Sequence, residues 1–376
     1  MADSAGVRQD KVRFIVADLE TAVGTFLFNP SSPSGSELRV PARAESRLAP
    51  VDGEMISNSE AIDGLAGSIA STRGAVGMGG TLVTELRANA PATLFPTHVK
   101  QLLASGMEIS VYDGAEATLI PSTKALTAWP GETVGIRSPA SMSIAEALID
   151  NNTKDEWVGA MGSVLATTID LSTNGMVLYS STITGQVAGD LFLDVSDTNL
   201  SGFGAEPTGQ GKDPAVVKGA TLVVTYFDDV THVGGSVITP DRFRNLSIDL
   251  APNIPRNEDP TAANGFAVSP VFNDAALPVT LQFADSSDYE NSVTGGTIMA
   301  GFKSGRGFLS IELTLVLDSL ISVAQTIKYT MPRVQYDAVR EDAEGARAFT
   351  FTGAAVRAER GNATPPLTIV YTHGTA

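Results

Sequence analysis

The side chains most capable of chemistry are few and scattered along this chain. Its three histidines, His98, His232 and His373, lie far apart and lack the close spacing, with one another or with a glutamate, that holds a metal ion. Cysteine is absent, which excludes a thiolate nucleophile, a thiolate zinc site and disulfide bonds. The sequence therefore predicts no metal site and no cofactor.

Pairs of acidic residues are the next candidates for catalysis. Asp228-Asp229, and Asp285 with Asp288, have the residue types of a glycosidase pair or of calcium ligands. They stand in short polar connections without the glycine-punctuated pattern of a calcium loop, and no Gly-x-Ser-x-Gly elbow of a serine hydrolase occurs. We interpret the pairs as solvated turns and expect that the protein is not an enzyme.

Two glycine-rich segments have the composition of nucleotide-binding loops but not their context. The segment 73–80 leads into a strand-like run, whereas a dinucleotide fingerprint opens a helix. In the segment 209–213, Asp213 stands where a phosphate-binding loop needs Ser or Thr. We interpret both segments as connections.

Charge and hydropathy narrow the class of protein further. Lys and Arg number 25 and Asp and Glu 42, so the net charge is −17, and no block of like charge concentrates it. Specific binding to nucleic acid needs clustered cations and is not expected, whereas the acidity suits solubility, adaptation to salt or repulsion of a polyanion. The first residues lack the pattern of a signal peptide, and no stretch approaches the roughly 20 apolar residues that span a bilayer. We expect a chain that folds in the cytoplasm and contacts no membrane.

Alternation of polar and apolar residues predicts a mainly β protein. It predicts strands at 11–16, 82–86, 219–227, 296–302, 308–315, 327–334, 348–356 and 367–371, separated by turns rich in Gly and Pro. Short helices are predicted at 94–103, with a stop at Gly106, at 142–149 after the capping residue Ser141, and at 318–324.

Two local patterns occur twice in the same order, about half a chain apart. Leu-Ala-Pro at 48–50, followed by Asn58 and Glu60, is echoed at 250–252, followed by Asn257 and Glu258. The run GTLVTEL at 80–86 is echoed by GFLSIEL at 307–313. Loose copies at this distance favour a duplicated and fused domain over a short-period repeat. We predict one domain over 1–150 and a second over 151–376, the latter with a longer, glycine-rich insertion at 197–213 that is expected to be mobile.

Two long polar segments, 45–80 and 253–274, fall at equivalent places in the two copies. Loops of this length are usually functional or are ordered by a partner. We predict that they are arms that contact a neighbouring subunit or ring. The candidate contact residues are Glu54, Asn58, Arg73, Asn257 and Glu258.

Taken in order, several segments give the chain a resemblance to the tail tube proteins, or major tail proteins, of long-tailed, siphovirus-like bacteriophages. The segments are 14–25 (FIVADLETAVGT), where an acidic residue precedes Gly-Thr, 80–107, where a Gly-x-x-x-x-Glu-Leu strand leads to a short helix, 157–163 (WVGAMGS), 331–336 and 348–354. Together the resemblance covers most of the chain.

This resemblance implies duplicated tail-tube-type β-sandwich or β-barrel domains with short flanking helices and long inter-subunit loops. It implies a virion structural protein, assembled in the host cytoplasm, that self-assembles into stacked rings around an acidic lumen through which the genome leaves. A duplicated chain suits trimeric rings with pseudo-sixfold symmetry, with hexameric rings as the alternative. The implied partners are further copies of the chain, the tape measure, tail terminator and distal tail proteins, and double-stranded DNA that passes without specific binding.

Two residues are candidates for the tube wall. Glu85 and Glu312 occupy matching positions in the echoed runs and would face either the lumen or the outside. The sequence favours neither orientation.

Two other classes stay open. One is a carbohydrate-binding or carbohydrate-active β-sandwich, although 6% aromatic residues and only two tryptophans, Trp129 and Trp157, provide few platforms for stacking on sugars. The other is a different virion subunit, such as a capsid or decoration protein.

Overall fold

The structure, a computed structural model, describes part of the chain. The described residues are 11–30, 32–33, 39–51, 55–56, 72–73, 77–89, 97–112, 116–121, 140–150, 155–172, 175–188, 193–195, 203, 210–214, 216–228, 236–238, 242–250, 277–284, 307–318, 325–342, 348–356 and 364–372. The one helix within these ranges is too short to cross a membrane.

The prediction of a mainly β protein is confirmed. The described residues form 22 strands and one helix, α1 (Thr97–Ala104). The strands are β1 (Lys11–Leu19), β2 (Arg39–Val40), β3 (Arg47–Val51), β4 (Met55–Ile56), β5 (Thr72–Arg73), β6 (Gly77–Glu85), β7 (Arg87–Asn89), β8 (Met107–Tyr112), β9 (Glu116–Pro121), β10 (Met142–Asp150), β11 (Asp155–Ser172), β12 (Leu178–Val187), β13 (Leu193–Val195), β14 (Gln210–Pro214), β15 (Val216–Asp228), β16 (Ser236–Ile238), β17 (Arg242–Leu250), β18 (Leu277–Ala284), β19 (Gly307–Asp318), β20 (Gln325–Asp342), β21 (Ala348–Ala355) and β22 (Thr368–Thr372). Eighteen of them form one antiparallel sheet.

The first part of this sheet closes on itself. Its strands follow the order β1, β10, β11, β12, β6 and β3. The circle is completed because β2 pairs with β1, while Ala42, just beyond β2, bridges to Thr84 of β6. Inside lies an apolar cluster that includes the fully buried Met78, Met142 and Ile144.

The second part of the sheet encloses a larger core. Its strands follow the order β17, β18, β21, β20, β19, β15 and β16, and β20 also pairs with β22, which continues to β9 and β8. Leu309, Leu313 and Leu315 project into this core from alternate positions of β19. Period-two burial of this kind is why the sequence pattern predicted β19.

Two strands of 18 residues change neighbours along their length, and one of them, β11, joins the first part of the sheet to the second. The first half of β11 pairs with β10, and its second half pairs with β17. The first half of β20 pairs with β22, and its second half pairs with β21. Each strand therefore belongs to two different sets of neighbours.

The helix predicted at 94–103 is confirmed as α1. It ends at Ala104, and Gly106 adopts the left-handed φ of 91° as its N–H donates to the carbonyl of Leu103 at 3.1 Å. Val99 and Leu102 are buried in the larger core.

The helix predicted at 142–149 is wrong, because these residues form β10. Met142 and Ile144 pack into the closed part of the sheet, while Ala145 and Ala147 pack on its other face. A strand buried on both faces shows no alternation, so its Ala, Glu and Leu content imitated a helix.

Other predictions lie partly or wholly outside the described residues. The strand predicted at 296–302 lies wholly outside the described residues. Of the helix predicted at 318–324, only Asp318 is described, and it is the last residue of β19. The domain division near residue 150 stays a prediction, as does the duplication; β6 pairs with β12 and β9 with β22 across that position.

Part of the predicted insertion at 197–213 is packed against the sheet. Phe203 is 3% exposed, and its ring stacks on Trp157 with the ring centroids 5.1 Å apart. Residues 210–213 belong to β14, which pairs with β7. Whether the segment is mobile stays a prediction.

Candidate functional site

Glu85, a candidate for the tube wall, is the last residue of β6 and forms a mostly buried ion pair. Its side chain is 15% exposed, and its Oε1 atom accepts a hydrogen bond from Nη1 of Arg43 at 3.0 Å. Nε of Arg43 lies 2.8 Å from Oε1 of Glu45. One cation, Arg43, therefore serves two carboxylates, Glu85 and Glu45.

Glu312, the second candidate, lies in the middle of β19 and is exposed. Its Oε2 atom is 2.9 Å from Nζ of Lys328 on β20, and each side chain is 44% exposed. The two glutamates thus differ in burial and in their place along the strand, although each is paired with a cation. Whether either faces a lumen stays a prediction.

The predicted contact residues of the arms are mostly outside the described ranges. Glu54, Asn58, Asn257 and Glu258 all are, and their role stays a prediction. The backbone of Arg73 lies in β5, which pairs with β4. The arm predicted over 45–80 is shorter than expected, because 47–51 and 77–80 form β3 and part of β6 in the chain's own sheet.

Three tyrosines meet in the larger core. Tyr179 comes from β12, Tyr329 from β20 and Tyr371 from β22, and none is more than 3% exposed. The hydroxyl oxygen of Tyr179 is 2.7 Å from that of Tyr371 and 3.2 Å from that of Tyr329. This tyrosine cluster satisfies its polar atoms internally and ties three strands together.

The tyrosine cluster stays protonated far into the alkaline range. Burial raises the pKa of Tyr179, Tyr329 and Tyr371 well above its usual value, and the negative charge of a neighbouring ionised phenol raises it further. Tyr336, at the edge of the same core, has a pKa raised chiefly by burial and then by Tyr226. At neutral pH these phenols are hydrogen-bonding groups rather than proton carriers.

His98 of α1 packs against the tyrosine cluster. It is 4% exposed, and its ring stacks on Tyr179 with centroids 5.1 Å apart and lies 5.3 Å from the ring of Tyr371. This is the packed histidine that an apolar helix favours, and it belongs to the core rather than to an open cleft.

A buried polar network joins α1 to the sheet. The Gln101 side chain donates to the carbonyl of Leu82 at 3.1 Å and to Oγ of Ser181 at 2.9 Å, and it accepts from Thr84. The network continues from Ser181 through the hydroxyl of Thr167 at 2.7 Å. Its members bond one another across strands, which leaves their polar groups satisfied within the core.

Glu20 accepts four hydrogen bonds. Its Oε2 atom accepts from the N–H of Gly24 at 2.7 Å and from Oγ of Ser141 at 2.6 Å. Its Oε1 atom accepts from the N–H of Gly162 at 2.8 Å and from Oγ of Ser143 at 2.9 Å. We call these five residues the Glu20 hub; it joins the end of β1 to the start of β10 and to β11.

The hub depends on a bulge in β11. The pairing of β11 with β12 shifts register between Met161 and Val164, and Gly162 within the shift has a left-handed φ of 56°. The bulge turns the Gly162 N–H towards Glu20. The sequence shows an acidic residue before Gly24-Thr25 but not its structural role, because three of its four partners, Ser141, Ser143 and Gly162, lie more than 100 residues away.

Each of these clusters joins different elements of the sheet. The tyrosine cluster, the Gln101 network and the Glu20 hub each direct their polar atoms at one another. Within the described ranges, no group of three or more His, Cys, Asp or Glu side chains converges in a way that could hold a metal ion.

Comparison with known proteins adds no relative. No protein-family model matches the chain, and a search of curated proteins finds no significant match.

Proposed function

We propose that the protein is a virion structural protein that self-assembles into stacked rings and forms the hollow tail tube of a long-tailed bacteriophage. The observation that carries the proposal is the antiparallel sheet of eighteen strands, which contains both echoed runs as β6 and β19. Each of these strands has a neighbour on both sides. A wall needs such a continuous sheet, and the clusters described above stiffen it.

In this proposal the conduit acts passively. A net charge of −17 repels the phosphates of passing DNA, so the DNA moves without being bound. The repulsion in this proposal arises from the charge of the whole chain rather than from Glu85 and Glu312 alone, each of which contacts a cation.

Assembly in this proposal uses an open edge of the sheet. Residues 216–223 of β15 pair with β19 on one side, and on the other side β16 pairs only with residues 224–226 among the described strands. An unpaired edge is a template for a strand from a neighbouring copy. Three duplicated chains would complete a pseudo-sixfold ring, and six chains are the alternative. The tape measure, tail terminator and distal tail proteins are the proposed further partners.

The carbohydrate-binding alternative gains no support from Trp157. Trp157 is 2% exposed and stacks on Phe203, so its ring is not available to a sugar. Trp129 lies outside the described residues.

Negative-stain electron microscopy tests the proposal. The purified chain is imaged at rising concentration and after prolonged incubation. We expect hollow rings or tubes, and the symmetry of the end views will distinguish three chains from six. Particles that stay monomeric at every concentration would contradict the proposal, and a closed shell would favour a capsid subunit instead.

A further inference from the structure

The strand β22 is inserted between two strands that come from distant stretches of the chain. On one side it pairs with residues 326–330 of β20, and on the other side with residues 116–119 of β9. β20 is also paired with β19, and β9 with β8. Among the described strands, β22 alone connects the β8–β9 hairpin to the rest of the sheet. We call the space between β9 and β20 the β22 slot; each of its two walls has a further neighbour of its own.

The β22 slot holds its strand through alternate side chains. Leu367, Ile369 and Tyr371 are at most 3% exposed and belong to the larger core. The hydroxyl oxygen of Tyr371 lies 2.7 Å from that of Tyr179 on β12. When a strand is added to a sheet, main-chain pairing gives affinity and pockets for alternate side chains give specificity. The β22 slot is therefore a binding site for an extended segment with this pattern.

The connection that leads into β22 is longer than a return to its own slot needs. β21 ends at Ala355, opposite Val334, and β22 begins at Thr368, opposite Thr330. Both strands lie on the side of β20 that faces away from β19, so the two positions are four residues apart on one side of β20 (334 − 330), about 14 Å. The connection, residues 356–367, has twelve residues (367 − 355), which cover about 40 Å when extended. It is therefore long enough to reach the slot of a neighbouring copy.

Exchange of β22 between copies keeps every contact that the strand makes. In the slot of a second copy it meets the same residues of β20 and β9 and the same Tyr179 hydroxyl, so only the conformation of the connection differs. Residues 368–372 carry no charge, and the slot residues that pair with them include one base, Lys328, and one acid, Glu116. The strand therefore brings no like charge into the slot of another acidic chain.

We propose that β22 of one copy of this chain occupies the β22 slot of a second copy, which returns its own β22 in exchange. The reciprocal exchange is closed by a two-fold axis and fills both slots at once. Each chain then contributes Leu367, Ile369 and Tyr371 to the core of the other. The inference goes beyond the proposed function, because the exchange can occur whether or not rings assemble.

Paired cysteine variants test the exchange, because the chain has no cysteine of its own. Thr118 on β9 and Val370 on β22 stand directly opposite each other, and both are partly exposed. The Cα atoms of such a pair are about 4.5–5.5 Å apart, which a disulfide bridges. Thr118→Cys with an affinity tag and Val370→Cys without one are produced together in one culture, purified as full chains and mildly oxidised.

The expected product is a disulfide between one tagged and one untagged chain. It forms where β22 of the Val370→Cys chain lies beside β9 of the Thr118→Cys chain, and a non-reducing gel identifies it by its summed mass. Two equal populations that exchange β22 at random should place about half of the chains in this product.

Two controls separate exchange from accidental oxidation. Thr280→Cys and Thr352→Cys place an equally opposed pair on β18 and β21, which keep each other as neighbours in the exchange, and should give only a background of mixed disulfide. The double variant Thr118→Cys/Val370→Cys has both cysteines in every slot and should oxidise completely, within a chain or between chains. Circular dichroism and thermal midpoints establish that each variant is folded.

Several results would overturn the inference. One is a double variant that oxidises while Thr118→Cys and Val370→Cys give no more mixed disulfide than Thr280→Cys and Thr352→Cys, because β22 then stays in its own chain. Another is a double variant that does not oxidise, because β9 and β22 are then not opposed in any copy. Tubes without the mixed disulfide would support the proposed function and refute the exchange, whereas the mixed disulfide without rings or tubes would do the reverse.

Discussion

Replacing Glu20 by glutamine removes the charge of the Glu20 hub while keeping the size of the side chain. In the wild type, each carboxylate oxygen accepts one backbone N–H and one serine hydroxyl. In Glu20→Gln, an NH₂ group replaces one of these oxygens. A serine hydroxyl can rotate and accept from that group, but the N–H of Gly24 or Gly162 cannot.

The expected fall in the free energy of unfolding follows from the number of hydrogen bonds that change. One backbone N–H loses its acceptor, which costs about 1–3 kcal/mol, and the remaining bonds lose the assistance of a charge, about 1 kcal/mol each. Glu20 is half-buried, so water recovers part of the loss. We expect the free energy of unfolding to fall by about 2–4 kcal/mol.

Equilibrium unfolding in urea measures the change, with Glu312→Gln as the matched control. The control removes the same charge from a carboxylate that is 44% exposed, and exposed ion pairs contribute about 0–1 kcal/mol. Hydrogen exchange read by mass spectrometry should show faster exchange in peptides that contain Gly24 and Gly162.

The reasoning is refuted if Glu20→Gln and Glu312→Gln destabilise the protein equally. It is also refuted if exchange increases uniformly along the chain rather than at the two glycine peptides, because the loss would then not originate at the hub.

Three further predictions concern the core. The pKa values of the three phenols in the tyrosine cluster are raised in the folded state. Their contribution to stability is therefore complete below about pH 10, the pKa of an unfolded tyrosine, and is lost as the pH rises further. With three phenols the free energy of unfolding should fall by about 4 kcal/mol per pH unit, which urea unfolding at several alkaline pH values measures. Gly80→Ala should destabilise the protein by about 2–4 kcal/mol, because φ is 149° and a Cβ atom would lie 2.0 Å from the carbonyl oxygen of Arg47. The control is Gly219→Ala, where the nearest atom to an added Cβ is 4.0 Å away. Equal thermal midpoints for the two variants would contradict the prediction. Phe203→Ala should cost about 3 kcal/mol and change the fluorescence of Trp157, and unchanged emission would show that the two rings do not stack in solution.

The sequence predicted those elements whose burial follows a simple period. On β19 the residues 309, 311, 313 and 315 are buried and those between them are not, so alternation alone identified the strand. For α1, the sequence placed the stop at Gly106, where the structure has a left-handed residue, and its apolar positions are the ones buried in the core. Both elements carry a local signal that matches their environment.

The sequence misled where an element is buried on both faces or depends on distant residues. Met142, Ile144, Ala145 and Ala147 of β10 are all fully buried, so no alternation distinguished the strand from a helix. Ser141, interpreted as a helix cap, instead donates to Glu20, 121 residues away. Tertiary pairing decided both outcomes, and no local pattern records it.

The candidate site was harder to anticipate than the fold. Tyr179, Tyr329 and Tyr371 come from three strands that the sequence separates by as much as 192 residues, so their meeting was not visible in the chain. A tyrosine at the inward position of an apolar strand was the available signal, as in Ile327-Lys328-Tyr329. Such a residue needs a buried partner for its hydroxyl.

The pairing of β9 with β22 has a consequence for biosynthesis. Leu119 stands opposite Ile369, which is synthesised 250 residues later (369 − 119). At about 5–20 residues per second, β9 leaves the ribosome roughly 12–50 s before its partner. During that interval its open edge can pair with other nascent chains on the same messenger. A cell that makes the protein must therefore shield this hairpin until translation ends, which makes the yield of native chain sensitive to chaperone supply and to the rate of elongation.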